Sequence, residues 1–236
     1  MTLAESAYQD IRRDIVRGAF DPGQPLRMAL LSERYKMGFS PLREALTRLQ
    51  SERLVVSVAL RGFSVAPLSI DEMWDAINTR IHIDTEALRL SMLHGDDAWE
   101  AGIVAAHHAL KLQAERAASN DEPEQRMLEI RHDAFHCALL AACQSKWLLD
   151  FSQKLYADTE RYRYPMLINR RTESVRDISC EHEQLMAATL ARDVPLALDL
   201  LRVHLKRTAQ FLDEPKDLPP PSHEPVLSLH QPKEFL

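Results

Sequence analysis

The sequence predicts a mainly α protein in two parts: a small three-helix unit closed by a β-hairpin, then a larger bundle built only of helices. Three observations carry this. Apolar residues recur at helical spacing from Tyr8, Ile11 and Ile15 onward to Leu212. The one stretch that alternates with period two, Val55-Val56-Ser57-Val58 and Phe63-Ser64-Val65, flanks Leu60-Arg61-Gly62. Charge also divides unevenly, with ten Lys/Arg against seven Asp/Glu in residues 1–68 and nineteen against twenty-eight in the remainder. A mildly basic first part joined to an acidic second part assigns any polyanionic partner to the first part.

The first helix is expected over about 5–17, ended by Gly18 and the turn Asp21-Pro22-Gly23. A second is expected over about 27–36 (Met28, Leu31, Tyr35), closed by Gly38. Ser40-Pro41 then reads as an N-cap followed by proline at the first helical position. In the third helix Leu42, Ala45, Leu46 and Leu49 form one face, while Arg43, Thr47 and Gln50 form another. The first face is core and the second is free. A cation in a helix's first turn opposes the helix dipole, so Arg43 does little for the isolated helix. Against DNA it is well placed, because helix-turn-helix proteins present the start of their second helix to the major groove. With a hairpin whose tip carries Arg61, the whole unit reads as a winged helix-turn-helix with a small β-wing.

From Ser69-Ile70-Asp71 the pattern is helical over about 70–93, 97–118, 123–142, 146–163, 174–191 and 194–212, with Asp193 capping the last helix and Pro195 in its first turn. The expected division is therefore 1–68 for the winged unit, 69–212 for the bundle and 213–236 for a proline-rich, unstructured tail. With 236 residues, 45% apolar content and six glycines, the chain is neither fibrous nor disordered. The absence of a long apolar run and of a signal-peptide pattern predicts a cytoplasmic protein. Three cysteines without a CxxC pair argue against a disulfide framework or a thiolate zinc site.

Histidines are the main chemical feature of the bundle. His132 and His136, four apart in a helix, point to one side, and His182 and His204 lie on two later helices. Neutral imidazoles so placed suit Zn²⁺ or a similar divalent metal held in a bundle core. His107, His108, His223 and His230 lack such an arrangement and read as solvated. An enzyme reading competes: His132-Asp133-Ala134-Phe135-His136 parallels H-E-x-x-H, the motif of zinc-dependent hydrolases. Aspartate is shorter than glutamate, however, and a fourth histidine would fill the position that catalysis needs open. A DNA-binding architectural protein without an effector is a third reading, but it leaves the histidines unexplained.

The stretch LRMALLSERYKMGFSPLREAL from Leu26 to Leu46, with Glu52-Arg53-Leu54-Val55 and Arg61-Gly62-Phe63-Ser64-Val65, resembles the winged helix of the GntR family of bacterial transcription regulators. The family usually has Ser-Arg-Thr before the proline, where this chain has Gly38-Phe39-Ser40. The resemblance implies DNA contacts from Arg34, Ser40, Arg43, Arg61 and Gly62, and Thr47 shares the free face of the third helix. Residues 70–212 are similar to the ligand-binding helical domain of the FadR branch, matched by Arg80, Ala134-Phe135-His136, Glu181-His182 and Arg192-Asp193 with His204-Leu205. Many members hold a metal through an aspartate four residues before the FH histidine. Here that position is His132, which implies a site of three or four histidines. Within the branch, the combination of GFSPLREAL, RHDAFH and RYRY resembles a repressor of glutarate and 4-aminobutyrate catabolism. This implies a homodimeric repressor on double-stranded operator DNA, released by a small carboxylate effector such as glutarate. A metal on neutral ligands keeps its charge, and arginines beside it favour a carboxylate. Arg80 matches a cavity-facing family position, and Arg161 and Arg163 are further candidates, although the Arg161-Tyr162-Arg163-Tyr164 run also reads as a solvated face.

Overall fold

The computed structural model describes residues 2–58, 62–117, 122–168 and 177–213. Helix α1 (Leu3–Val16) starts where the Thr2 hydroxyl accepts the Glu5 N–H at 3.1 Å, and Glu5 itself lies favourably in the first turn. Its Ala7, Tyr8, Ile11 and Ile15 pack against α3. Helix α2 (Met28–Tyr35) ends two residues earlier than the glycine implies: Lys36 takes the left-handed conformation at φ 55°, while Gly38 has φ −69° and instead precedes α3. Helix α3 (Phe39–Ser51) therefore begins at Phe39, and Ser40 lies inside its first turn rather than capping it. Leu42, Ala45, Leu46 and Leu49 are all buried, as their spacing requires.

Strands β1 (Val55–Val58) and β2 (Gly62–Val65) pair antiparallel with Val55 opposite Val65. Gly62 has φ +84°, a conformation that costs glycine no Cβ clash. The other edge of β2 is covered by the segment before α2: Val65 donates to the Gln24 carbonyl at 2.9 Å and Leu26 to the Phe63 carbonyl at 2.8 Å. Periodicity does not reveal this pairing, because the covering segment contains Pro22 and Pro25 and is too short to alternate.

The bundle comprises α4 (Ile70–His94), α5 (Asp97–Arg116), α6 (Glu122–Leu140), α7 (Lys146–Ile168), α8 (Ile178–Leu190) and α9 (Val194–Asp213). Side chains cap several of these helices: Ser69 for α4, Asp96 for α5, Asp177 for α8 and Asp193 for α9. The Asp177 cap places the start of α8 at Ile178, and residues 174–176, where the expected helix begins, lie outside the described residues. The expected tail overlaps α9 by one residue, and 214–236 lie outside the described residues.

Two separate apolar cores result, one around Ile11, Leu42, Leu46 and Leu49, the other around Met73, Ile77, Leu88, Ile103, Phe135 and Leu185. The two parts meet through α7. Glu160 accepts from Arg12 of α1 at 2.5 Å, Arg161 donates to the Ala66 carbonyl at 2.5 Å, and the Tyr162 hydroxyl donates to the Ser69 carbonyl at 3.2 Å. Among the described residues no helix is long and apolar enough to cross a membrane.

Candidate metal centre and DNA interface

Helix α6 delivers His132 and His136, α8 delivers His182 and α9 delivers His204. One ring nitrogen from each of the four lies within 4.8 Å of the others. The Nε2 atoms of His132 and His136 are 3.2 Å apart, near the edge of roughly 3.4 Å expected for nitrogens placed about 2.0–2.1 Å from a tetrahedral zinc ion. Phe135, fully buried, packs its ring against those of His136 and His182 and floors the site.

Two of the opposite ring nitrogens, those of His132 and His204, are anchored. His132 Nδ1 is 2.9 Å from the Tyr156 hydroxyl, which donates to Glu129 Oε1 at 2.9 Å, and Arg163 donates to that same carboxylate oxygen at 2.7 Å. His204 Nδ1 is 2.9 Å from Glu181 Oε2, with Arg207 on the other oxygen of the carboxylate. A partner on Nδ1 fixes ring orientation and leaves Nε2 for a metal. Burial pushes His132 and His136 well below the ordinary imidazole range, and the neighbouring histidines and Arg80 add to the effect. These are the neutral ligands a divalent cation requires. The donor set fits such a metal.

The residues expected to face DNA lie elsewhere. Ser40, Arg43 and Thr47 are exposed along α3, and the Thr47 hydroxyl donates to the Arg43 carbonyl at 2.9 Å. Arg34 is exposed but engaged, bonding Asp14 through Nε and Nη2 at 3.0 and 2.7 Å. Gly62 is exposed at the start of β2, and Arg61 lies outside the described residues.

Residues 3–65 match the family described as bacterial regulatory proteins, gntR family, and residues 75–207 match the FCD domain. The HTH-type transcriptional repressor GlaR of Escherichia coli (strain K12) is 40% identical over 214 residues, covering 87% of this chain and 94% of that protein. The chain belongs to the GntR family. A second relative, the uncharacterized HTH-type transcriptional regulator BphR of Paraburkholderia xenovorans (strain LB400), is 38% identical over 87% of this chain and 83% of its own length. E. coli McbR/YncC shares the fold of this GntR protein with a TM-score of 0.70, at 19% identity, over 90% of this chain and 97% of that one. This regulator is thus a DNA-binding winged-helix protein with an FCD domain, and its relatives are transcription regulators rather than enzymes.

The hydrolase reading finds no support among these relatives. Asp133, the acid a zincin-like motif would use as a base, accepts from Gln153 at 3.1 Å and from Cys137, and it is not one of the clustered metal-ligand candidates. His107 also departs from expectation. It is buried, with its ring 5.5 Å from Phe135, and burial lowers its pKa; His108 alone of that pair is exposed. His223 and His230 lie outside the described residues.

The three candidate effector arginines, Arg80, Arg161 and Arg163, are all buried, so the Arg161-to-Arg163 run is not a solvated face. Arg80 pairs with Asp84 through Nε at 2.8 Å and lies 4.8 Å over the Tyr156 ring. Its terminal nitrogens make no hydrogen bond among the described residues. Arg163 is committed to Glu129, Thr159 and the Tyr156 carbonyl. Burial disfavours its charge, but Glu129 outweighs burial and raises its pKa. Arg161 stands apart, at the junction with the winged unit. Glu129, Tyr156 and Asp84 escaped sequence reasoning. The only local sign was the i, i+4 spacing of Arg80 and Asp84, since Tyr156 meets His132 across 24 residues of chain.

Proposed function

We propose that this regulator is a homodimeric repressor of a catabolic operon, released from its operator by a small dicarboxylate of the glutarate class. The effector binds beside a divalent metal held by His132, His136, His182 and His204. The observation that carries this reading is the convergence of four imidazoles within 4.8 Å next to the buried Arg80, whose guanidinium keeps its terminal nitrogens for a ligand. A divalent cation on four neutral ligands keeps its charge in a buried setting, and a bidentate arginine is the natural partner for a carboxylate. Arg163 adds positive potential from behind Tyr156, at 4.0 Å from its ring. Operator binding belongs to α3 and the wing, with Arg43 and Thr47 toward base edges and Ser40, Arg34, Gly62 and Arg61 along the backbone. The chain divides at about residue 68 into the operator-binding and effector-binding domains.

Thermal-shift screening of C4 to C6 dicarboxylates, with and without Zn²⁺, tests this directly. An effector at a hundred times its dissociation constant stabilises by about 2.7 kcal/mol, and the same compound should release labelled operator DNA. Stabilisation by dicarboxylates that is indifferent to metal, or absent altogether, overturns the effector assignment.

A further inference from the structure

Helix α7 belongs to both halves of the molecule. Tyr156, Thr159 and Arg163 follow one another at i, i+3 and i+7, and this face meets the histidine site: Tyr156 holds His132, while Arg163 and Tyr156 share Glu129. A second face, with Ala157 and Arg161 at i and i+4, looks toward the winged unit. Gln153 and Ala157 line a cleft of about 500 Å³ whose other wall is Tyr8, Arg12 and Glu52, and Arg161 grips the Ala66 carbonyl.

Glu160 lies between the two faces. It accepts from Arg12 at 2.5 Å, and its charge also acts on the buried Arg163. Glu160 and Arg163, three apart on α7, therefore bring the Glu129–Arg163 pair in the shell of the histidine site and the Glu160–Arg12 pair at helix α1 of the winged unit onto neighbouring turns of one helix. Both guanidiniums are half-buried or buried, where screening by solvent is weak. Helix α1 in turn packs along α3, the helix that carries Arg43.

We propose that α7 is the element through which the effector site and the operator-binding unit sense each other, with Glu160–Arg12 as the electrostatic link and Arg161–Ala66 as its mechanical fastening. This rests on the effector reading above. An anion arriving beside Arg80 and Arg163 competes with Glu129 and Glu160 for the same positive charge. The arrangement of α7 against α1 then differs between effector-bound and effector-free protein. Coupling of this kind requires only that each ligand prefer one of the two arrangements.

The test is a double-mutant cycle read in operator affinity on the full-length, Zn²⁺-loaded protein. Glu129→Gln alters the site end and Arg12→Gln the other end, and the double variant joins them. Linked ends give a combined change in operator dissociation constant that departs at least threefold from the product of the two single changes, whereas independent ends multiply. Multiplication within experimental error overturns the proposal, whatever the effector proves to be. A second arm titrates glutarate into free and operator-bound protein. In the wild type the two affinities should differ, and in Arg12→Gln or Glu160→Gln the ratio should move toward one; in Arg12→Gln, which leaves every group around the histidine site in place, glutarate affinity of the free protein should stay within about twofold. Equal affinities in the wild type sink the effector reading itself, and a ratio unchanged in both variants sinks only the role of α7. An unchanged melting temperature in Arg12→Gln and Glu160→Gln separates loss of the link from loss of fold.

Discussion

His132 is held as much by its neighbours as by its own helix. Removing the Tyr156 hydroxyl by Tyr156→Phe takes away the partner of Nδ1 and leaves the Glu129–Arg163 pair in place. Outer-shell losses of this kind typically cost about 10–100-fold in metal affinity, so a chelator competition should show Zn²⁺ bound within that range more weakly, at unchanged stoichiometry. His136→Ala or His204→Ala should instead abolish stoichiometric metal, measured by elemental analysis of the dialysed protein. Metal content of one per chain in both variants would mean that the ligands have been misassigned. The same histidines give the metal-free protein a directional pH dependence. Burial holds His132 and His136 well below the ordinary imidazole value of 6.5, so on acidification the unfolded chain takes up protons that the folded chain refuses. Stability from these two groups is full above about pH 6.5 and is lost as pH falls toward their folded values. The denaturation midpoint of chelator-treated protein should drop between pH 7.5 and 5.5, and replacing both residues with asparagine should flatten the drop. A midpoint equally steep in that variant would assign the effect to other groups.

At the scale of the element, α3 separates binding from stability on its two faces. Arg43→Ala should weaken operator binding by about 1–3 kcal/mol at fixed salt with the melting temperature unchanged, because the side chain is exposed on the face that the buried leucines leave free. Leu46→Ala, at a fully buried position, should instead cost about 2–5 kcal/mol of folding stability, read from denaturant unfolding. Unchanged operator affinity in Arg43→Ala would show that another face enters the groove. The helices were legible in the sequence because each buries one stripe, and a stripe writes its period into the chain. The hairpin was legible for the same reason with period two. Helix ends were less so. Gly38 and Ser40 carry the residue types of a stop and a cap, yet Lys36 makes the left-handed turn and Gly38 precedes the helix, since local chemistry allows several neighbouring residues to serve. At the candidate site, the histidines announced themselves through the i, i+4 pair and the family pattern. The groups that orient them did not: Glu129, Tyr156 and Arg163 become neighbours only when α6 and α7 pack, and no spacing along one helix encodes a contact between two. Arg161 shows the converse. It shares a run with Arg163, but two residues along a helix is a turn to another side, toward Ala66 rather than the site.

For the whole molecule, the amount of DNA that one winged unit can read sets the assembly. On the proposed reading a single recognition helix offers Arg43 and Thr47 to a few base pairs, and discrimination of about 1–3 kcal/mol per good contact is too little against a genome of competing sites. Two copies related by a two-fold axis double the contacts on a pseudo-palindrome. The charge distribution favours the same arrangement. The first 68 residues carry an excess of three positive charges and the remainder an excess of nine negative, so the acidic bundles are repelled by phosphates while the winged units are attracted. Two chains should therefore bind one operator duplex with both bundles held away from it. Native mass spectrometry or sedimentation of the complex should give two chains per full operator, and a duplex carrying one half-site should bind at least a hundredfold more weakly under the same salt. Raising salt should weaken both, and more steeply for the full operator, because twice as many phosphate contacts release twice as many counterions. A one-to-one complex that retains full affinity on a half-site, with the same salt slope as the full operator, would exclude the two-fold assembly and leave sequence recognition to a single winged unit.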